Sequence, residues 1–70
     1  MGKGYVVSSG PEADFDMHGE ERPVWYVEIY NDDDEELDGY TCNTLEAALT
    51  LADNISDSRG IEHVDNSFPA

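Results

Sequence analysis

One run of β-branched and aromatic residues decides the fold: Val24-Trp25-Tyr26-Val27-Glu28-Ile29-Tyr30. Such residues favour extended strands, and successive side chains of a strand point to opposite faces of its sheet. This alternation puts Trp25, Val27 and Ile29 on one face, which we assign to the core. The remaining residues of the run, Val24, Tyr26, Glu28 and Tyr30, then lie on the outer face.

Shorter extended segments flank this strand on both sides. We expect a first strand over residues 4–9, ended by Gly10 and Pro11, and a third strand over residues 37–42. The third strand follows an acidic turn at residues 31–36 and so predicts an antiparallel hairpin with residues 24–30. Residues 61–64 predict a last short strand, residues 12–23 an acidic loop, and residues 65–70 a loose tail.

One helix is predicted near residues 44–58. Asn43 is a suitable N-cap with Glu46 three residues later, as in a capping box, and Gly60 supplies a left-handed C-cap. At about 100° per residue, the apolar side chains of the segment share an arc of roughly 160°: Leu45, Ala48, Leu49, Leu51, Ala52 and Ile55. The order β-β-β-α-β therefore predicts an α+β fold, a small antiparallel sheet of three to four strands with one helix packed on one face. We expect a single acidic domain over residues 1–70.

Charge is the strongest functional signal in the chain. Its 70 residues include 17 Asp and Glu against three basic residues, which gives a net charge of −14. A chain of this size buries a small core, and self-repulsion at this density opposes compaction. We expect folding because the apolar residues form periodic blocks. A chain with so few cations is a poor ligand for nucleic acid, so its expected partner is a basic protein or nucleoprotein complex.

The acids are clustered. Glu46, Asp53 and Asp57 fall within an arc of about 40° on the helix, beside its apolar side. Residues on one face of a strand repeat every ~6.6 Å, and one helical turn rises about 5.4 Å. Both distances are of the order of the distance between neighbouring phosphates on a nucleic-acid strand. This predicts a carboxylate surface that occupies a nucleic-acid-binding groove, with two outer-face tyrosines as interface anchors. The candidate partner-binding residues are Asp32, Asp33, Asp34, Glu35, Glu36, Asp38, Glu28, Glu46, Asp53, Asp57, Tyr26 and Tyr30.

Other chemistries have less support in the sequence. Residues from Asp34 onward resemble the start of an EF-hand loop, but position twelve is Leu45 and an aromatic strand precedes the run. His18 and His63 are isolated and interpreted as surface residues, and Cys42 has no basic neighbour to lower its pKa. We therefore expect no catalytic residues, no metal and no cofactor. Adaptation to high salt stays open as an alternative explanation of the charge.

The single cysteine, Cys42, allows no internal disulfide, which suits a reducing cytoplasm. No apolar run approaches the roughly 18 residues that span a membrane, and anionic lipid would repel an anionic surface. We expect a cytoplasmic protein that does not bind membranes. The charge on each chain favours a monomer over a dimer.

In size, charge and gross organisation, the whole chain resembles the small acidic inhibitors encoded by bacteriophages, including DNA-mimicking anti-CRISPR and anti-restriction proteins. The resemblance implies a non-catalytic inhibitor that acts in the host cytoplasm, with a Cas effector as the first partner to consider. More locally, residues 44–52 followed by Gly60-Ile61-Glu62 are similar to the helix and strand of the short phage inhibitor of bacterial RNA polymerase. This similarity implies host RNA polymerase as the alternative target. The chain departs from that family at Val64, Asp65 and Asn66, where the family carries functional arginines.

Overall fold

A computed structural model describes residues 4–70 of the protein; residues 1–3, which the domain prediction includes, lie outside the described part. The elements are β1 (Tyr5–Phe15), β2 (Glu21–Tyr30), β3 (Glu36–Cys42), α1 (Leu45–Arg59) and β4 (Glu62–Ser67). The α+β class and the order β-β-β-α-β are confirmed. The four strands form one sheet in the order β3-β2-β1-β4.

The sheet is mixed, which corrects the prediction of an antiparallel one. β1 pairs antiparallel with β2, and β2 pairs antiparallel with β3. β4, however, pairs parallel with β1, from Tyr5 opposite Glu62 to Gly10 opposite Ser67. A parallel neighbour needs a long crossover, and α1 supplies that connection between β3 and the far edge of the sheet.

The core lies between α1 and the face of the sheet that was predicted from the sequence to be buried. Trp25, Val27 and Ile29 are all buried there, as predicted. Ala48 and Ala52 are the fully buried residues of the helix. Their small side chains allow the helix backbone to approach the strands closely. Larger apolar residues flank this contact and are partly buried: Leu45, Leu51, Ile55 and Cys42.

The first two strands are longer than predicted. β1 does not end at Gly10 and Pro11, which form a bulge where two residues of β1 lie opposite the single Trp25 of β2. Gly10 has φ +121°, and a Cβ atom there would lie 2.9 Å from the Val24 carbonyl oxygen, so glycine fits the bulge. Beyond the bulge, β1 and β2 continue as a two-stranded extension. Residues 12–23 therefore form most of a projecting hairpin and are not a loop; we call residues 11–24 the finger.

The bulge also disturbs the alternation of buried side chains. Val24 was predicted to point outward, yet it is buried like its neighbour Trp25. Val24 lines a groove along the finger together with Asn43, Arg22 and Phe15. The simple two-residue period therefore holds for residues 25–30 and fails where the register of β1 changes.

The helix termini differ by one residue from the prediction at the N-terminal end. Thr44, not Asn43, is the N-cap, because Thr44 is extended and its Oγ1 accepts a hydrogen bond from the Ala47 amide at 3.0 Å. Gly60 is the C-cap with φ 65°, as predicted, and its amide donates to the Ser56 carbonyl oxygen.

The predicted loose tail is also corrected. β4 runs to Ser67, and the next residue is held by two hydrogen bonds. The Phe68 amide donates to the Gly10 carbonyl oxygen at 2.9 Å, and the indole Nε1 of Trp25 donates to the Phe68 carbonyl oxygen at 2.9 Å. The indole is thereby satisfied within the core, and the C-terminal segment is fixed against β1.

Candidate functional site

The two turns that bound β2 carry acidic side chains and share one architecture. In the turn at residues 16–20, the side-chain oxygen Oδ1 of Asp16 accepts hydrogen bonds from the amides of His18 and Glu20, at 2.8 and 3.0 Å. In the turn at residues 31–35, Asn31 Oδ1 accepts from the amides of Asp33 and Glu35, at 2.9 and 3.0 Å. An Asx side chain that closes the backbone in this way fixes a short turn. Because β2 separates the turns, they lie at opposite ends of a ten-residue strand.

The second turn, residues 31–35, is the acidic turn. The side chains of Asp32, Asp33, Asp34 and Glu35 are all exposed there. Asp34 has φ 62°, a left-handed conformation that Asp and Asn adopt more readily than most residues. Its Oδ1 accepts a hydrogen bond from the Tyr5 hydroxyl at 2.8 Å. This hydrogen bond to a carboxylate is the main reason that the pKa of Tyr5 is raised.

The face of the sheet opposite α1 carries the predicted tyrosines with three glutamates, Glu28, Glu36 and Glu62; we call it the open face. Tyr26, Glu28 and Tyr30 alternate along β2, and strand pairing adds Tyr5 and Val7 from β1, Val64 from β4 and Glu36 from β3. The rings of Tyr5 and Tyr30 stack with centroids 5.1 Å apart and planes inclined by 18°. The sequence-based interpretation missed Tyr5, although an antiparallel pairing of the first two strands would have placed it opposite Tyr30.

Two of the three glutamates of the open face, Glu28 and Glu36, interact with each other, and Glu28 also contacts Tyr30. The Tyr30 hydroxyl donates to Glu28 Oε2 at 3.1 Å. A hydrogen bond between the carboxyl groups of Glu36 and Glu28 raises the pKa of Glu36, with desolvation and the negative charge of Glu28 adding to the effect. Partial burial, followed by the hydrogen bond to Glu28, raises the pKa of Tyr30. The open face therefore concentrates negative charge beside an aromatic pair.

The remaining predicted residues lie on the other side of the molecule. Glu46, Asp53 and Asp57 are exposed on α1. Asp38 pairs with Ile29, so its side chain shares the helix side of the sheet. There the Tyr40 hydroxyl donates to Asp38 Oδ2 at 2.9 Å, which is the main reason that the pKa of Tyr40 is raised. The structure thus brings Tyr26, Glu28, Tyr30 and Glu36 together on the open face, next to the acidic turn, and separates them from the helix acids.

Asp53 belongs to a polar cluster that the sequence did not reveal. His63, interpreted as an isolated surface residue, has a side chain that is only 15% exposed. Its Nδ1 lies 2.9 Å from Asp53 Oδ1, and its Nε2 lies 2.9 Å from the oxygen Oγ of Ser8. Ser8 is fully buried and also donates to Asp65 Oδ1 at 3.2 Å. Hydrogen bonds from the hydroxyl and amide of Ser67 are the main cause of the lowered pKa of Asp65.

The order Asp53, His63, Ser8 matches the connectivity of a nucleophilic triad, in which a carboxylate orients the histidine that activates a serine. The Ser8 hydroxyl, however, has no exposed surface from which to reach a substrate. The cluster instead ties α1, β1 and β4 together through their polar side chains. Elsewhere, burial raises the pKa of the Cys42 thiol and so keeps it protonated and weakly nucleophilic.

Within residues 4–70, no three or more His, Cys, Asp or Glu side chains converge as ligands for a metal ion. The same part of the chain contains no helix that combines the length and apolar character needed to cross a membrane. Comparison with protein-family models, with curated proteins and with solved structures finds no match for this chain. A functional proposal therefore depends on the shape and charge of the molecule itself.

Proposed function

We propose that this protein is a non-catalytic inhibitor of the phage type, a DNA mimic that acts in the cytoplasm. Its carboxylate surface would occupy the basic nucleic-acid-binding site of a bacterial defence complex, with a CRISPR effector as the first partner to test. Binding would exclude the nucleic acid sterically and would require no cofactor. The protein would act as a monomer, since −14 charges per chain oppose self-association.

The observation that carries the proposal is the density of charge along the molecule. Residues 4–70 extend 46 Å along their longest axis and 21 and 16 Å along the other two. The chain carries 17 acids against three basic residues, a net charge of −14. This corresponds to one net negative charge per ~3 Å of length, close to the ~3.4 Å per phosphate along one DNA strand.

The positions of the acids support the same conclusion. The turn at residues 16–20 and the acidic turn lie at opposite ends of β2, and the open face and the exposed side of α1 carry carboxylates between them. A basic groove that holds a nucleic-acid strand could therefore contact negative charge over most of the length of the molecule. Release of counterions and electrostatic steering would favour association, as they do for nucleic acid itself.

The test is a binding and inhibition assay with a purified effector and the triple variant Asp32→Asn, Asp33→Asn, Asp34→Asn. Asparagine tolerates the left-handed conformation at position 34 and retains an oxygen that can accept the Tyr5 hydroxyl, so the acidic turn should keep its shape. If each exposed contact contributes about 0.2–1 kcal/mol, the variant should bind about tenfold more weakly.

The matched control is Glu12→Gln, Asp14→Asn, Glu21→Gln, which removes the same charge from exposed positions of the finger outside the turn at residues 16–20. We expect this control to bind more tightly than the acidic-turn variant. Inhibition by the acidic-turn variant at the level of the parent protein, at physiological salt, would contradict the charge-mimic mechanism.

A further inference from the structure

The open face is a sheet surface that no other element of residues 4–70 covers. The single helix packs on the opposite face, against Val6, Val27 and Ile29. The open face presents half-buried side chains in place of a packed layer, among them Tyr5, Tyr26 and Tyr30. Aromatic side chains on an uncovered face are suited to hold a partner, since Tyr is favoured in interface hot spots.

The charge on this face has one sign. Glu28, Glu36 and Glu62 belong to it by strand pairing. The two arginines of residues 4–70 lie elsewhere: Arg22 contacts Asp16 in the finger at 3.2 Å, and Arg59 is in the last turn of α1. No cation of the described chain therefore offsets the charges of Glu28 and Glu36, which both lie beside Tyr30: Glu28 accepts from its hydroxyl, and Glu36 is its pairing partner on β3.

This combination of groups matches the chemistry of a guanidinium ion. Arginine is planar, donates to carboxylate oxygens in a fixed fork and stacks on aromatic rings, whereas the lysine ammonium is a compact, strongly hydrated charge. A cation over a tyrosine ring adds about 0.5–1 kcal/mol at exposed sites. Tyr26, Glu28 and Tyr30 also repeat at the two-residue interval with which side chains emerge from one face of an extended segment.

We propose that the open face binds an extended, arginine-bearing segment of a protein partner, with a guanidinium group between the Glu28–Glu36 pair and the Tyr30 ring. This inference rests on the proposed function and names the group of the basic partner that the protein recognises. Charge complementarity selects this occupant over a second copy of the chain, whose open face would bring the same negative charges.

The experiment titrates the full-length, isotope-labelled protein with an oligoarginine peptide and an oligolysine peptide of equal length and charge. Backbone amide shifts map the contact, and calorimetry gives the affinity. We expect the arginine peptide to bind about two- to fivefold more tightly than the lysine peptide, because only the guanidinium combines a bidentate fork to the carboxylates with stacking on the ring. The largest shifts should fall on Tyr26, Glu28 and Tyr30.

Two double variants distinguish recognition of arginine by the open face from a general effect of negative charge. Glu28→Gln with Glu36→Gln should abolish the preference for arginine. Glu12→Gln with Glu21→Gln removes equal charge from exposed positions of the finger and should leave the preference intact. Retention of an intact fold in both variants is checked by the amide spectrum.

Equal affinity for the two peptides, or shifts centred on α1, would overturn the inference about the open face and leave the proposed function standing. A dimer in sedimentation, together with protection of the open-face amides from exchange with solvent, would also overturn the inference. The occupant of the open face would then be a second copy of the chain. Failure of both peptides to bind, together with failure to bind an effector, would overturn the inference and the proposed function alike.

Discussion

Ser8 shows how a single polar residue can organise a small core. Its hydroxyl is fully buried, and buried polar groups are stable only when they are hydrogen-bonded. The partners are three residues of β4, His63, Asp65 and Ser67, and Asp53 then orients the imidazole from α1. The hydrogen bonds at this one position therefore determine how β4 and α1 are placed against β1.

Removal of the imidazole should weaken the fold. We expect His63→Ala to lower the free energy of unfolding by about 1–2 kcal/mol, because the part-buried hydrogen bond to Ser8 and the exposed one to Asp53 are lost. Thermal denaturation followed by circular dichroism measures the change. The control is His18→Ala, at an exposed position of the turn at residues 16–20, which should change stability by less than about 0.5 kcal/mol. Equal melting of the two variants would show that the cluster around Ser8 does not support the fold.

At the scale of elements, the sequence predicted the strand and the helix in which apolar residues recur at a regular interval. Residues 25–30 alternate and α1 has an apolar arc, so the strand, the helix and the core face all follow from the pattern. The finger has no such pattern. Its strands contain Pro11 and Pro23, its strand side chains other than Val24 are exposed, and backbone pairing beyond the bulge holds its two strands together.

The extension of β4 was missed for a related reason. Asp65, Asn66 and Ser67 suggest a polar tail, yet Asp65 and Ser67 point toward the buried Ser8 hydroxyl. Parallel pairing with β1 also leaves no local signal, because the two strands are far apart in sequence. Among the candidate site residues, the sequence placed Tyr26, Glu28 and Tyr30 on one face. Only the register revealed that Glu36 joins them and that Asp38 does not.

At the scale of the whole molecule, the charge has an alternative explanation in adaptation to high salt. A salt-adapted domain should unfold when salt is removed. A DNA mimic should stay folded in dilute buffer. Screening of about 1 kcal/mol of self-repulsion would raise its melting temperature by about 4–8 °C in molar salt. Thermal melts at low and molar salt distinguish the two, and an unfolded protein in dilute buffer would favour salt adaptation.

The elongated shape and the dense negative charge lead to one central claim, that the protein replaces nucleic acid on a basic surface. Competition between the protein and labelled target DNA for a purified CRISPR effector tests this claim most directly. We predict that the protein displaces the DNA, and that its affinity for the effector falls steeply as salt rises, as expected when counterions are released on binding. A complex that contains the effector, the DNA and the protein together, or an affinity that does not change with salt, would contradict the claim.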